Sequence, residues 1–183
     1  MKNLSVPIKK TGKPIAQTAV IAVLIGIDYL IKEIAAEKLA DGEIHVFIRS
    51  FLGFAYTQNT GAAFSLFSSS TNLLSVFTGI LIVAGLVYLF VPSKRPAAFD
   101  ICIPLIIAGG AGNLLDRLTR GYVIDYIMTL FVDFPVFNFA DILITCGCFA
   151  LIIYLIYSIY ADAKKEKAVV PTKEFLADGE GDD

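Results

Sequence analysis

Long apolar runs alternate with short polar segments along this chain. The apolar runs cover residues 14–31, 73–91, 101–115 and 142–161. An α-helix needs about 20 apolar residues to cross the hydrocarbon core of a bilayer. The third run reaches that length when its apolar flanks, residues 97–99 and Leu118, are included. The pattern therefore predicts an all-α integral membrane protein with four transmembrane helices. Since no small-residue cleavage site follows the first run, we interpret it as an uncleaved helix rather than a signal peptide.

A different pattern lies between the first two predicted spans. Residues 44–48 and 51–56 are rich in β-branched and aromatic side chains, and Gly42 and Gly53 interrupt them. Such runs predict short strands, so we expect a small extracytoplasmic β element on the membrane surface. Residues 1–161 then form a single four-helix transmembrane domain. Residues 162–183 form a charged cytoplasmic tail, for which we predict disorder.

Composition agrees with a membrane protein. Hydrophobic residues make up 56% of the chain, the mean hydropathy is +0.72, and charged residues make up only 17%. In soluble domains, about a quarter of all residues are charged. No basic stripe alternates with aromatic residues, so nucleic-acid binding is not expected. Cys102, Cys146 and Cys148 lie inside apolar runs and indicate small buried hydrophobes rather than a disulfide framework.

The lysine and arginine residues predict the orientation. Four precede the first span, two lie between spans 2 and 3, and four follow the last span, which makes ten of the fifteen. Lys and Arg concentrate in cytoplasmic segments of membrane proteins. Both termini are therefore predicted to be cytoplasmic, and the connections between spans 1 and 2 and between spans 3 and 4 lie outside.

In this topology, polar side chains near the span boundaries collect at the outer leaflet. Ionisable side chains at membrane depth are expensive, and they indicate a functional site by default. The outer ends of spans 1, 3 and 4 and the connection between spans 3 and 4 carry Asp28, Lys32, Asn113, Asp116, Arg117, Asp125, Asn138 and Asp141.

Two of these residues, Asp125 and Asp141, could form a catalytic pair. Two close carboxylates cannot both ionise, so one holds a proton and acts as general acid while the other acts as general base. This aspartyl chemistry needs neither a metal nor a cofactor, and we expect neither. Sixteen residues separate the two aspartates. A loop must therefore fold back to bring them together.

Each polar residue also has a simpler structural interpretation. Asn138 and Asp141 have the spacing of a helix N-cap followed by an acid in the first turn. Asp116 and Arg117 could form an ordinary ion pair, and the pair at 28 and 32 has the helical spacing of four. Asn59 lies in a turn-like Asn-Thr-Gly sequence.

Other functional classes have less support. The only histidine, His45, has apolar neighbours and is interpreted as a surface or strand residue, and no zinc-protease, CxxC, GxSxG or P-loop motif occurs. A metal hydrolase that uses Asp116, Asp125 and Asp141 would lack a histidine ligand. A small proton-coupled carrier with Asp125, Asp141 and Arg117 as a relay remains an alternative. Against it, the polar groups lie at one depth and no inverted repeat occurs.

Four blocks of sequence carry a resemblance. They are Asn59-Thr-Gly-Ala-Ala-Phe-Ser65, Gly112-Asn-Leu-Leu-Asp-Arg117, Gly121-Tyr-Val-Ile-Asp-Tyr126 and Phe137-Asn-Phe-Ala-Asp141. In this order, and between four apolar spans, they resemble the lipoprotein signal peptidase (signal peptidase II) family, the membrane aspartyl proteases of bacteria. The resemblance covers about residues 14–161.

The resemblance implies a function, a location and a set of site residues. The family removes signal peptides from prolipoproteins by cutting just before a diacylglyceryl-modified cysteine at the outer face of the bacterial cell membrane. By position, Asp125 and Asp141 match the catalytic pair. The residues that match substrate-holding or supporting positions are Asn59, Asn113, Arg117 and Asn138, with Asp116 as a structural acid and Asp28 and Lys32 in a first-helix motif.

That first-helix motif is also where the chain departs from the family. The family commonly has Gln and Ser where Tyr29 and Ile31 stand here. The expected partners are diacylglyceryl-modified prolipoproteins and membrane lipid, and the expected oligomeric state is a monomer.

Overall fold

The computed structural model describes residues 12–61, 71–92 and 95–177, which form four helices and one small sheet. The helices are α1 (Gly12–Lys38), α2 (Thr71–Phe90), α3 (Ala97–Arg120) and α4 (Phe139–Ala177), and the strands are β1 (His45–Ile48), β2 (Leu52–Asn59) and β3 (Val123–Thr129). Some predictions fall outside the described residues. They concern the basic N-terminus, the end of the block that starts at Asn59, part of the basic turn before α3 and the acidic end of the tail.

Three of the helices in the described part of the chain are long and apolar enough to cross a membrane. The candidate spans are residues 72–90, 97–120 and 139–165. Large apolar side chains such as Phe77 and Ile153 are exposed on these helices. Outward-facing apolar side chains are what a lipid environment requires of a spanning helix. A fourth crossing, by α1, remains a prediction.

Helix α3 packs against each of the other three helices, and glycines let it approach α4 closely. A Cβ atom at Gly109 would lie 2.3 Å from the carbonyl oxygen of Ala140 on α4. A Cβ atom at Gly147 would lie 2.8 Å from Cγ1 of Ile106 on α3. Small residues at such crossings allow the backbones of membrane helices to touch. The start of α4 is therefore pressed against the middle of α3.

The three strands form an antiparallel sheet in the order β1-β2-β3. Strands β1 and β2 form a hairpin, which agrees with the predicted β element. Strand β3 is a difference from the sequence analysis, which assigns Asp125 only to the connection between spans 3 and 4. Residues 123–126 are all buried, so they lack the apolar–polar alternation that identifies a half-exposed strand. Pairing with β2 brings Asp125 opposite Thr57 and Val123 opposite Asn59.

Helix α4 is longer than its predicted span. It continues to Ala177 and so includes most of the segment for which we predicted disorder. The segment from 161 to 168 reads ADAKKEKA. Alanine, lysine and glutamate are strong helix formers, so the helix can continue beyond the apolar residues that anchor it.

Candidate active site

Asp125 lies in β3 and is buried, with 2% of its surface exposed. The Asn59 side chain, from the adjacent strand, donates to Oδ2 of Asp125 at 2.8 Å. The Asn138 side chain donates to Oδ1 of Asp125 at 2.6 Å. Burial raises the pKa of Asp125 to about 6. The Asn59 and Asn138 hydrogen bonds oppose the increase, and the nearby charge of Asp141 adds to it. Asp125 is thus the carboxyl group that gains a proton more readily than an ordinary aspartate.

Asp141 belongs to a reciprocal cap at the start of α4. Its backbone N–H donates to Oδ1 of Asn138 at 3.0 Å, and the backbone N–H of Asn138 donates to Oδ2 of Asp141 at 3.1 Å. This is the geometry of a capping box. The other carboxylate oxygen, Oδ1, accepts from the side chain of Asn113 at 2.8 Å. The capping interpretation is therefore confirmed, and it involves only one of the two oxygens.

The two asparagines that contact Asp125 have their amide directions set by backbone groups. Oδ1 of Asn59 accepts the N–H of Gly61 at 3.0 Å, as in the predicted turn. Oδ1 of Asn138 accepts the N–H of Asp141 at 3.0 Å. A backbone N–H cannot accept a hydrogen bond, so each amide must turn its oxygen towards it. Each amide nitrogen then points at Asp125.

A short β-bridge brings the two aspartates together. Ile127 N–H donates to the carbonyl of Phe137 at 2.8 Å, and Phe137 N–H donates to the carbonyl of Ile127 at 3.0 Å. Asp125 lies two residues before this bridge, and Asp141 lies four residues after it. The chain thus folds back as the sixteen-residue separation required.

Both aspartates line one cavity of about 470 Å³. Its polar lining includes the side chains of Asn59, Asn113, Arg117, Asp125 and Asp141. Its apolar lining comes from the segment before α4 and from the first turns of α4, namely Phe134, Pro135, Val136, Phe137, Ile142 and Ile144, followed by Thr145 and Cys146. Cys146 is exposed at this cavity rather than buried as a small hydrophobe. The cavity can therefore hold a chain segment that is mostly apolar beside the two carboxylates.

Arg117 does not form the ion pair with Asp116 that adjacency suggested. Its guanidinium donates to the backbone carbonyls of Asn113 and Gly61 at 3.4 and 3.3 Å. Its Nε is buried and has no hydrogen-bond partner among the described residues. Consecutive residues on a helix do not face each other, which explains why the predicted pair is wrong. Arg117 instead offers donor groups next to the cavity.

Asp28, Lys32 and Asp116 form a separate buried cluster behind the cavity. Nζ of Lys32 lies 2.8 Å from Oδ2 of Asp28 and 3.0 Å from Oδ2 of Asp116. Oδ1 of Asp28 accepts the backbone N–H of Ala140 at 3.0 Å. Oδ1 of Asp116 accepts Nε of Arg120 at 3.2 Å. The three side chains are at most 2% exposed, and none of them lines the cavity. The predicted pairing of 28 with 32 is confirmed.

Neither of the two first-helix residues that depart from the family pattern, Tyr29 and Ile31, lines the cavity. Tyr29 is exposed, and its ring lies 5.8 Å from the guanidinium carbon of Arg120. Ile31 is half-buried and packs against the apolar cluster that contains Ile124. His45 lies on β1, is exposed and contacts Asp41 at 2.9 Å, which confirms its interpretation as a surface strand residue.

Comparison with known proteins identifies a family. A sequence model described as signal peptidase (SPase) II matches residues 20–157. A lipoprotein signal peptidase of Clostridium tetani is 38% identical over 142 residues, which are 75% of this chain and 91% of that protein. A lipoprotein signal peptidase of Streptococcus pneumoniae is 34% identical over 137 residues, which are 75% of this chain and 90% of that protein.

The fold also has solved relatives. A structure described as a bacterial membrane enzyme, obtained by the in meso method, superposes with a TM-score of 0.73 at 28% sequence identity. It covers 79% of this chain and 89% of its own chain. A second structure described in the same words has a TM-score of 0.68 at 29% identity.

Proposed function

The chain belongs to the signal peptidase II family, and we propose that it is an aspartic endopeptidase of the bacterial cell membrane that removes the signal peptide from prolipoproteins. The cut lies before a cysteine that already carries diacylglycerol. The observation that carries this proposal is that Asp125 and Asp141 line one cavity, each held by N–H donors. The lipoprotein signal peptidases among its relatives favour this function over a proton-coupled carrier.

The proposed reaction uses the two carboxyl groups as an acid and a base. Asp125, whose pKa burial raises to about 6, holds the shared proton. Asp141 takes a proton from a water molecule, whose oxygen attacks the scissile carbonyl carbon. Asp125 gives its proton to the carbonyl oxygen, and a tetrahedral intermediate forms. As the intermediate collapses, one of its hydroxyl groups returns a proton to Asp125, the C–N bond breaks, and the proton on Asp141 passes to the leaving amine. Water is consumed, and the pair returns to one shared proton.

The cavity lining supports placement of a substrate backbone. Among the residues that the structure describes, Arg117 makes two long hydrogen bonds to carbonyl groups, which leaves further N–H donors of its guanidinium for a bound peptide. Asn59 and Asn138 are committed to Asp125, and Asn113 is committed to Asp141. We therefore assign Arg117 to the substrate backbone and the three asparagines to support of the aspartate pair.

The membrane arrangement is part of the proposal. Residues 14–31 of α1 contain only one charged side chain, Asp28, and supply the length of a fourth span. The distribution of lysine and arginine supports a cytoplasmic location for both termini and an extracytoplasmic location for the sheet. A cysteine that carries acyl chains stays in the bilayer. The scissile bond should therefore lie near the outer interface, at the level of the two aspartates.

The direct test is cleavage of a defined substrate. The purified protein, in lipid, should shorten a diacylglyceryl-modified prolipoprotein, and mass spectrometry should place the new N-terminus at the modified cysteine. The unlipidated form should be cut poorly. An Asp125→Asn preparation controls for contaminating proteases. No shortened product from the modified substrate, or equal cleavage of both forms, would contradict the proposal.

A further inference from the structure

Lys32 is a fully buried cation that does not line the cavity. Its side chain has 0% exposure. Its Nζ contacts three acceptors, Oδ2 of Asp28 at 2.8 Å, Oδ2 of Asp116 at 3.0 Å and Oδ1 of Asn113 at 2.9 Å. The first two contacts neutralise the charge. The third adds no charge compensation, and it connects Lys32 to a residue that contacts Asp141.

The contact with Asn113 determines which way that amide faces. Oδ1 of Asn113 accepts from Nζ of Lys32 and also from Nδ2 of Asn138 at 3.1 Å. An ammonium group has only donors, so the amide must present its oxygen to Lys32. Its Nδ2 is then left to donate to Oδ1 of Asp141 at 2.8 Å. If the amide reversed, its oxygen would face the carboxylate and its nitrogen would face the ammonium.

We propose that Lys32 is a positioning residue for the proposed peptidase reaction, on which this inference rests. By holding the oxygen of Asn113, it keeps an N–H aimed at Asp141. The same oxygen accepts from Asn138, whose Nδ2 also donates to Asp125. Lys32 thereby sets the direction of the amide that reaches Asp141. The amide of Asn138, which the backbone N–H of Asp141 directs, gains a second acceptor in the same oxygen. Lys32 acts through Asn113 and touches neither the reacting groups nor the substrate.

This role predicts a kinetic signature. A residue sealed from the cavity contributes nothing to the binding of the peptide, so its replacement should leave KM unchanged. The orientation of the carboxylates matters in the transition state, so the loss should fall on kcat. A side chain that only filled space would instead affect stability, with no dependence on hydrogen-bond donors.

Removal of Lys32 alone is an ambiguous test, because Asp28 would remain buried without its counter-ion. Loss of one partner from a buried ion pair is strongly destabilising. The comparison should therefore be made in an Asp28→Asn background. An amide at this position can still accept the N–H of Ala140 with its oxygen, and Asp116 keeps Arg120 as a partner.

Two replacements of Lys32 in that background differ mainly in a donor group. Lys32→Gln supplies an N–H that can reach towards Oδ1 of Asn113. Lys32→Met has a similar size and shape but no donor. We expect the Gln variant to have a kcat about tenfold or more above that of the Met variant, because a hydrogen bond linked to a charged group is involved. KM should be the same in both, and thermal denaturation should verify that both are folded.

The Asp28→Asn variant with Lys32 intact completes the set. It should cleave at least as fast as the Gln variant. Equal kcat for folded Gln and Met variants would overturn the proposed role of Lys32, and so would a difference confined to KM. Failure of the unmodified protein to cleave would refute the peptidase function instead, so the two outcomes are distinguishable.

Discussion

Replacement of Asn59 should move the pH dependence of cleavage in a defined direction. In the proposed reaction, the active form carries one proton on Asp125. When the pH rises above the pKa of Asp125, that proton is lost and kcat/KM falls. This pKa lies at about 6 in the unliganded protein. The alkaline limb of kcat/KM reports ionisation in the free enzyme, so it should have its midpoint near 6.

The Asn59 side chain donates to Oδ2 of Asp125 and stabilises the ionised form, which lowers the pKa of Asp125. Removal of the donor should therefore raise this pKa. A hydrogen bond to a charged group contributes about 1.5 to 3 kcal/mol, and one pKa unit corresponds to about 1.4 kcal/mol. Asn59 is half-buried beside the cavity, where water can replace part of the lost bond. The lower end of this energy range therefore applies, and the midpoint of the alkaline limb should move up by about one pH unit.

The assay compares initial rates on a fluorogenic lipopeptide from about pH 5 to about pH 9. Asn59→Ala removes the donor, but it also removes the oxygen that accepts the N–H of Gly61. Asn59→Ser keeps a short acceptor for that N–H, yet its hydroxyl is too short to reach Asp125. Both variants should shift the limb upwards. Gln58→Ala provides the control, since Gln58 is exposed and contacts Tyr56.

An unchanged limb in both Asn59 variants would refute the assignment of the proton to Asp125, as would a shift to lower pH. The same profile contains an internal check. A mostly apolar peptide in the cavity should exclude water and raise the pKa of Asp125 further. The alkaline limb of kcat, which reports the substrate complex, should then lie above the limb of kcat/KM.

Three further predictions follow from the site and the packing. Asp125→Asn and Asp141→Asn should each abolish cleavage without loss of fold, and the double variant should be hardly worse than either single variant, because residues that act as a unit are non-additive; a folded single variant with near-normal cleavage would exclude the aspartyl mechanism. Gly109→Ala should lower stability by about 1 to 3 kcal/mol in detergent melts, since the α4 backbone lies 2.3 Å from the new methyl group. Gly26→Ala is the control and should not lower stability, because its new methyl group has no neighbour within 4 Å. A cysteine introduced at Asp41, in a background without native cysteines, should react with a membrane-impermeant maleimide added outside sealed cells. Protection of that thiol from the reagent would contradict the predicted orientation.

The sequence alone brought forward the candidate site residues, because apolar spans make polar side chains conspicuous, and the structure shows that Asp125 and Asp141 line one cavity. Asp125 and Asp141 were identified without knowledge of the strand that carries the first of them. Strand β3 was not recognised from the sequence, because it is defined by its pairing with β2. In that pairing Asp125 lies opposite Thr57. No local pattern records a pairing between residues so distant along the chain. The buried residues 123–126 also lack the alternation that reveals the outer hairpin.

Ion pairs show a second limit of sequence reasoning. Adjacency suggested that Asp116 pairs with Arg117, whereas Asp116 pairs with Arg120, four residues later on the same helix face, and with Lys32 from α1. The spacing of four could have indicated Arg120, because such residues are neighbours on a helix. The contact with Lys32 depends on the packing of α1 against α3, which the sequence does not specify.

Capping and the proposed catalytic role of Asp141 do not exclude each other, and the geometry gives a physical reason why one residue would suit both. In the capping box, the N–H of Asn138 holds Oδ2 of Asp141, which fixes the carboxylate relative to the first turn of α4. That turn is fixed relative to Asp125 by the backbone bridge between Ile127 and Phe137. The cap and the bridge together therefore hold the carboxylate of Asp141 in a defined position relative to Asp125 on the sheet. A general base must be held in place before the substrate arrives, because reorientation during the reaction would add to the barrier. An aspartate at this position of a helix is held by the folding of the helix itself.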